Sequence, residues 1–217
     1  MYNEAIEDYL KSIYEIQQEQ GKVATTVLAK RLNVQPASVT GMVKKLSDMN
    51  LLTYEPYQGV QLTQPGKKIA LEVIRHHRLV ELFLAEALGV PWDKVHQEAE
   101  KWEHVLSEEL EERIDALLGY PTHDPHGAPI PNRNGEVAER PTLLLADLLP
   151  SQAAVIVEVN DQDPELLRYL GSLGLYPNAE IVLIEVAPFE GPLKIEIQNS
   201  EVILGDKVAR QIFVRRI

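Results

Sequence analysis

The chain of 217 residues contains no cysteine. That excludes disulfides and any thiolate metal centre, and it fits a reducing compartment. No apolar run approaches the roughly 18 residues that a membrane-crossing helix needs. The opening MYNEAIEDYL is acidic and amphipathic, unlike a basic-then-apolar leader peptide. A cytoplasmic protein with no membrane partner is expected. Catalytic signatures are missing too. There is no P-loop, no G-x-S-x-G and no G-x-G-x-x-G. H-E-x-x-H is absent; its inverted form H-x-x-E-H needs a histidine where Glu100 stands, and a di-iron Glu-x-x-His needs a glutamate where Lys101 stands. No enzyme is expected.

What is present is ordinary in amount and uneven in place. A hydrophobic content of 45% suffices for real cores, and 25% charged residues suits a globular protein. The net charge of −12 alone argues against nucleic acid. Its distribution argues the other way. Residues 24–70 carry six basic residues (Lys30, Arg31, Lys44, Lys45, Lys67, Lys68) against Asp48 and Glu55, a balance of +4. Residues 71–149 carry seven basic against sixteen acidic (−9), and residues 150–217 carry six against ten (−4). A basic segment joined to an acidic body is the asymmetry of a small DNA binder.

Apolar spacing gives the organisation. Residues 4–19 place Ile6, Tyr9, Leu10, Ile13, Tyr14 and Ile16 on one helical face. TTVLAKRLN reads as a short helix with Thr25 or Thr26 as cap. PASVTGMVKKLSDMN reads as another, with Pro36 near its start, where a missing N–H costs nothing. Residues 51–54 and 60–63 read as a hairpin. Helix, short helix, turn, helix, hairpin is a winged helix-turn-helix. The second helix of the pair then offers Pro36, Ala37, Ser38, Thr40 and Gly41 to base edges and Lys44 and Lys45 to phosphates. A winged helix that binds protein is the competing reading. A long helix to about Leu88 and another over residues 92–118 carry more apolar surface than one small domain needs, which points to a homodimer. Residues 119–141 read as loop and residues 142–149 as a short apolar helix or strand. Strand-like runs at 154–159, 179–186, 193–198 and 201–205, with PELLRYLGSLGL as a helix between the first two, indicate a small SH3-like β-barrel.

The stretch VHQEAEKWEHV (95–105) puts His96, Glu100, Glu103 and His104 at offsets that share one stripe of a continuous helix. Stacked carboxylates repel, and a divalent cation resolves the repulsion. The preceding helix carries His77 and Glu81 at i and i+4; the first helix carries Glu7 and Asp8. Three helices thus offer hard-metal ligands. His76 faces away from His77 and reads as packing or surface; His123 and His126 read as structural parts of the loop.

Over nearly its whole length the sequence resembles the diphtheria-toxin-repressor and manganese-transport-regulator family of metal-dependent repressors. The resemblance rests on EDYLKSIYEI, PASVTGMVKKL, HHRLVELFL, KVHQEAEKWEHVLS, the HGAPIP loop and DPELLRYLGSLGL. It implies a mainly α fold with small β parts (α+β) in three domains: a winged helix-turn-helix over 1–64, a helical metal-binding and dimerisation domain over 65–141, and an SH3-like domain over 142–217. It implies a homodimer that grips a palindromic, double-stranded DNA operator when metal-loaded and controls metal-uptake genes. The primary site it implies is Asp8, Glu100, Glu103 and His104. The ancillary site it implies is His77, Glu81 and His96 with a C-terminal carboxylate, Asp163 by position, with Asp161 and Glu165 as competitors. Iron-sensing members carry Met and Cys where this chain has Asp8 and Glu100. The all-oxygen-and-imidazole set favours Mn(II), with Fe(II) as the alternative and other divalent metals as substitutes in vitro. Short manganese regulators use a carboxylate where Lys11 stands, so their closely spaced metal pair is not expected in this chain.

Overall fold

The computed structural model describes residues 3–55, 59–140, 142–189 and 191–217. The chain forms two compact units. The first comprises residues 1–77, 102–106 and 131–136; the second comprises 78–101, 107–130 and 137–217.

In the first unit, helix α1 (Glu4–Gln20) begins where the Asn3 side chain accepts a hydrogen bond from Ile6 N. Helices α2 (Thr25–Arg31) and α3 (Pro36–Asp48) follow. Neither Thr25 nor Thr26 caps α2: its N-cap is Ala24, with no side-chain cap bond. Strands β1 (Leu52–Glu55) and β2 (Gly59–Leu62) pair antiparallel, Leu52 opposite Leu62. Val23 adds a bridge to Val60. The tip of this hairpin, residues 56–58, lies outside the described residues. Leu10, Ile13 and Ile16 of α1, Leu28 of α2, Val39, Val43 and Leu46 of α3, and Leu52 and Val60 of the hairpin make one buried core. Burial of that set fixes α3 with its opposite face outward. Helix α4 (Gln64–Leu88) starts against the turn after α3: a Cβ on Gly66 would lie 1.9 Å from the Leu51 carbonyl oxygen.

The second unit holds the end of α4, helix α5 (Val95–Trp102) except its last residue, helix α6 (Glu108–Leu117) and the C-terminal sheet. The expected single helix over 92–118 is therefore two. Ser107 caps α6 by accepting from Leu110 N, and Glu108, Glu109 and Glu111 in its first turn suit the positive end of the helix dipole. Strands β3 (Ala153–Val159), β4 (Glu180–Val186), β5 (Leu193–Ile197), β6 (Ser200–Leu204) and β7 (Ile212–Arg216) form an antiparallel sheet in the order β6-β5-β4-β3-β7. Helix α7 (Pro164–Ser172) lies between β3 and β4 in sequence, and the short α8 (Asp206–Ala209) precedes β7. Strand β7 was not among the four strand-like runs. Residues 142–149 hold a single 3-10 turn, Leu145–Asp147, preceded by an isolated antiparallel bridge from Leu144 to Phe213. Leu145, Ile156, Leu167, Leu170, Leu183, Ile195 and Val214 lie in this unit's core. No helix among the described residues is long and apolar enough to cross a membrane.

Candidate metal centres and nucleic-acid face

Glu103 and His104 do not continue α5. They occupy the turn between α5 and α6, so the single helical stripe expected for His96, Glu100, Glu103 and His104 is broken after Trp102. The turn brings Glu103 and His104 against α1. Ligand atoms of Asp8, Glu103 and His104 lie within 4.8 Å of one another. His104 Nε2 is 2.9 Å from Asp8 Oδ1 and 3.4 Å from Glu103 Oε1, and its Nδ1 is 2.7 Å from Glu7 Oε2. Hydrogen bonding to Asp8 is the main cause that raises the imidazole to about 9; burial opposes it, and Glu7 and the Glu103 charge add to it. A metal ligand must be the neutral imidazole, so proton and cation compete for one position.

Glu103 is 1% exposed, and its carboxylate is already held from one side. Lys11 Nζ stands 2.9 and 2.8 Å from its two oxygens and 3.2 Å from His77 Nδ1. His77 also contacts Glu103 directly. His76 Nδ1 is 3.1 Å from the Glu103 carbonyl. The buried lysine thus already supplies positive charge to the Glu103 carboxylate.

In the second unit a different group converges. Ligand atoms of Glu81, His96 and Asp161 fall within 4.8 Å of one another, and so do those of Glu81, Asp124 and His126. Glu81 is common to both and fully buried. One of its oxygens is 3.2 Å from His96 Nδ1, the other 3.9 Å from His126 Nδ1. Asp124 and His126 sit at the start of the HGAPIP loop, where Asp124 Oδ1 accepts from His126 N and Ala128 N. That leaves Asp124 Oδ2 and His126 Nδ1 buried and without a hydrogen-bond partner. Buried acceptors in that state call for a proton or a cation. Burial, then the Glu81 charge, raises Asp124 to about 7, with Arg78 opposing; Arg78 Nε is 3.6 Å from its Oδ2. The loop is docked on β3: Val159 N donates to the His126 carbonyl at 2.9 Å, and Gly127, at φ +90°, leaves 2.0 Å between the position of a Cβ and the Val157 carbonyl oxygen. Strand β3 ends two residues before Asp161, so one strand positions both the loop and that carboxylate.

Asp163 is used otherwise. It is the N-cap of α7, accepting from Glu165 N and Leu166 N with Pro164 following. Glu100 is exposed, with one oxygen 3.8 Å from His96 Nε2. Asp124 and His126 were absent from the metal sets expected from sequence. Their signal was an aspartate and a histidine flanking Pro125, in a stretch (residues 119–132) whose only other titratable base is His123.

On α3, Pro36, Ala37, Ser38, Gly41, Lys44 and Lys45 are exposed. Thr40 is half-buried, and its hydroxyl donates to the Pro36 carbonyl at 3.1 Å. Open space surrounds the missing Cβ of Gly41. The face is small, hydroxyl-bearing and basic at its far end, as a helix needs for close approach to a groove and its phosphates.

The family model "Iron dependent repressor, N-terminal DNA binding domain" matches residues 1–60, "Iron dependent repressor, metal binding and dimerisation domain" matches residues 63–132, and "FeoA domain" matches residues 143–216. The iron-dependent repressor IdeR of Mycobacterium leprae (strain TN) is 31% identical over 97% of this chain and 96% of its own length. The diphtheria toxin repressor of Corynebacterium glutamicum (strain ATCC 13032) is 30% identical over 97% of this chain and 96% of its own length. A solved manganese-dependent transcriptional repressor in complex with manganese superposes with a TM-score of 0.90 at 36% identity, covering 98% of this chain and 100% of its own. The manganese regulator SloR superposes at 0.79 with 33% identity, covering 98% of each.

Proposed function

Because the chain belongs to the iron-dependent repressor family of metal-dependent transcriptional repressors, we propose that its activating metal is Mn(II) and that a metal-loaded homodimer binds a palindromic operator upstream of metal-uptake genes. The observation that carries this reading is the convergence of Asp8 with Glu103 and His104. Asp8 lies on α1, the first helix of the DNA-binding module; Glu103 and His104 lie in the α5–α6 turn. Two carboxylates and an imidazole fit a hard-to-borderline divalent ion, and the short mutual distances suit one ion. Glu100 joins this primary set on the resemblance. When bound, the cation supplies the positive charge that lets these acidic groups stay close.

The residues do the rest. Asp8 ties α1 to the turn, and α1 packs on the core that orients α3. The separation of the two recognition helices in a dimer must match half-sites about one DNA turn apart. A fixed α1 fixes that separation, so metal and operator strengthen each other's binding by the same factor.

A second centre is proposed from Glu81, His96, Asp124, His126 and Asp161. It rests on Asp124 Oδ2 and His126 Nδ1, buried beside Glu81 without a hydrogen-bond partner. Asp161 takes the place of Asp163, whose carboxylate is engaged as a helix cap. His77 stays with Lys11 and Glu103.

The manganese preference is supported by a donor set without sulfur and by similarity to a manganese-dependent repressor solved with manganese and to the manganese regulator SloR. Fe(II) is the second reading, because the same donors accept it and affinity alone ranks it above Mn(II). Crystals soaked in Mn(II), with anomalous scattering measured at both centres, test the metal reading; gel shifts on the gene's own upstream DNA with Mn(II), with Fe(II) under argon and with chelator test the function. Equal DNA binding after exhaustive chelation would overturn it.

A further inference from the structure

Trp92 lies just before α5 and takes part in neither metal set. Its carbonyl oxygen is 2.8 Å from His126 Nε2. A carbonyl only accepts, so Nε2 carries a proton, and in the neutral ring the lone pair is then on Nδ1, on the side of Glu81 and Asp124. The indole stacks on the same imidazole, with ring centroids 5.7 Å apart and planes at 28°. Its other neighbour is Tyr176, at 4.6 Å between centroids. Indole and phenol both crowd Gly171 of α7: a Cβ there would lie 2.8 Å from the Tyr176 hydroxyl and 3.1 Å from Trp92 Nε1. Next in sequence, Asp93 pairs with Arg168 of α7 at 3.1 Å.

We propose that Trp92 is the positioning residue of the second metal centre, setting the tautomer and aim of His126 and tying both to the packing of α7 and Tyr176. This rests on the second centre proposed above. Outer partners of a metal-ligating histidine fix its ring and tautomer, and their loss costs about ten- to a hundred-fold in metal affinity. The C-terminal sheet and α7 thereby act on the centre twice, through the Asp161 carboxylate and through the imidazole that Trp92 holds.

Two measurements on the full chain test this. Nitrogen-15 imidazole shifts of the metal-free wild type at pH 8 should show His126 protonated at Nε2 and bare at Nδ1; a proton on Nδ1 overturns the proposal without any variant. Equilibrium dialysis with Zn(II) chloride should then show Trp92→Leu, which keeps the main-chain carbonyl but removes the stacked ring that aims His126, losing about ten- to a hundred-fold in affinity at the second centre. Its primary-centre affinity should be unchanged, and Trp92→Phe, which keeps a stacking ring, should restore most of the loss. Wild-type affinity in Trp92→Leu overturns the positioning role. A wild-type chain that takes up Zn(II) only at the primary centre removes the second centre and this proposal with it, while leaving the Asp8–Glu103–His104 reading in place.

Discussion

His104 Nε2 stands 2.9 Å from Asp8 Oδ1, so the imidazole that is to bind a cation is already paired as a cation with one of its co-ligands. In the metal-free chain this pairing, opposed by burial and helped by Glu7 and the Glu103 charge, lifts the imidazole from 6.5 to about 9. The stability it contributes is fully present below pH 6.5 and is lost as pH rises through about 9. Metal binding must expel that proton, so primary-centre affinity for Mn(II) should climb steadily from pH 6.5 towards 9, with about one proton released per ion. Glu7→Gln removes one of the contacts that raise the imidazole and should move the climb to lower pH. Titrations at several pH values read both; a flat profile between pH 7 and 9 would sink the assignment of His104.

Asp8→Ala removes the carboxylate that α1 contributes to the proposed primary centre. Asp8 is half-buried at the helix surface and no part of the hydrophobic core, so folding and dimer mass should be unchanged. Operator binding should lose its dependence on Mn(II), falling to the level of the chelated wild type. Gel shifts with and without metal, beside light scattering for the dimer, check it. A normal metal response in this variant would falsify the clasp between α1 and the α5–α6 turn.

The helices of the DNA-binding module were legible because their apolar residues keep a 3.6-residue period between clear stops such as Gly21 and Pro36. The break between α5 and α6 was not. Val95, Ala99, Trp102, Leu106, Leu110 and Ile114 carry the period straight through it, and no glycine or proline marks it. Only Ser107, followed by three glutamates within four residues, hinted at a cap. Asp163 was expected as a metal ligand although it stands directly before Pro164 at a helix start, where the structure uses its carboxylate as the N-cap. Of the partners of Glu81, His96 and Asp161 were named from sequence, but Asp124 and His126 were hidden because a loop supplies them: they acquire meaning only once β3 docks the HGAPIP loop. Strand β7 was missed because two arginines end a short alternation that pairing with β3 completes.

Asp124 gives the second centre a test with opposite signs. Its carboxyl is lifted from 3.8 to about 7, chiefly by burial. An acid raised on folding costs nothing below pH 4; the cost grows as pH rises and is complete above about 7. Asp124→Asn keeps an oxygen for His126 N and Ala128 N but drops the charge. The metal-free variant should therefore melt higher than wild type at pH 8, by about 2–4 °C for each kcal/mol relieved, and equally at pH 4. Its second-centre Zn(II) binding should fall at the same time. Calorimetric melts with and without Zn(II) decide; a variant less stable when metal-free and unimpaired in binding would assign Asp124 to the loop alone.

Lys44 and Ser38 share the exposed face of α3 but should fail in different ways. Lys44, one turn beyond Thr40, would meet the DNA backbone rather than the bases in the proposed docking. Each phosphate contact releases counterions and adds about 0.9 to the slope of log affinity against log salt. Lys44→Ala should therefore weaken operator and random DNA alike and flatten that slope by about 0.9. Ser38 sits in the first turn of α3, where side chains face base edges. Ser38→Ala should cost about 1 kcal/mol on the operator alone, leave the salt slope as it was, and relax preference at a single base pair. Binding measured across a salt series, on the operator and on scrambled DNA, separates the two. If Lys44→Ala left the slope unchanged while Ser38→Ala flattened it, the first turn of α3 would lie at the phosphates and its second half at the bases, the reverse of the docking that its small and basic residues require.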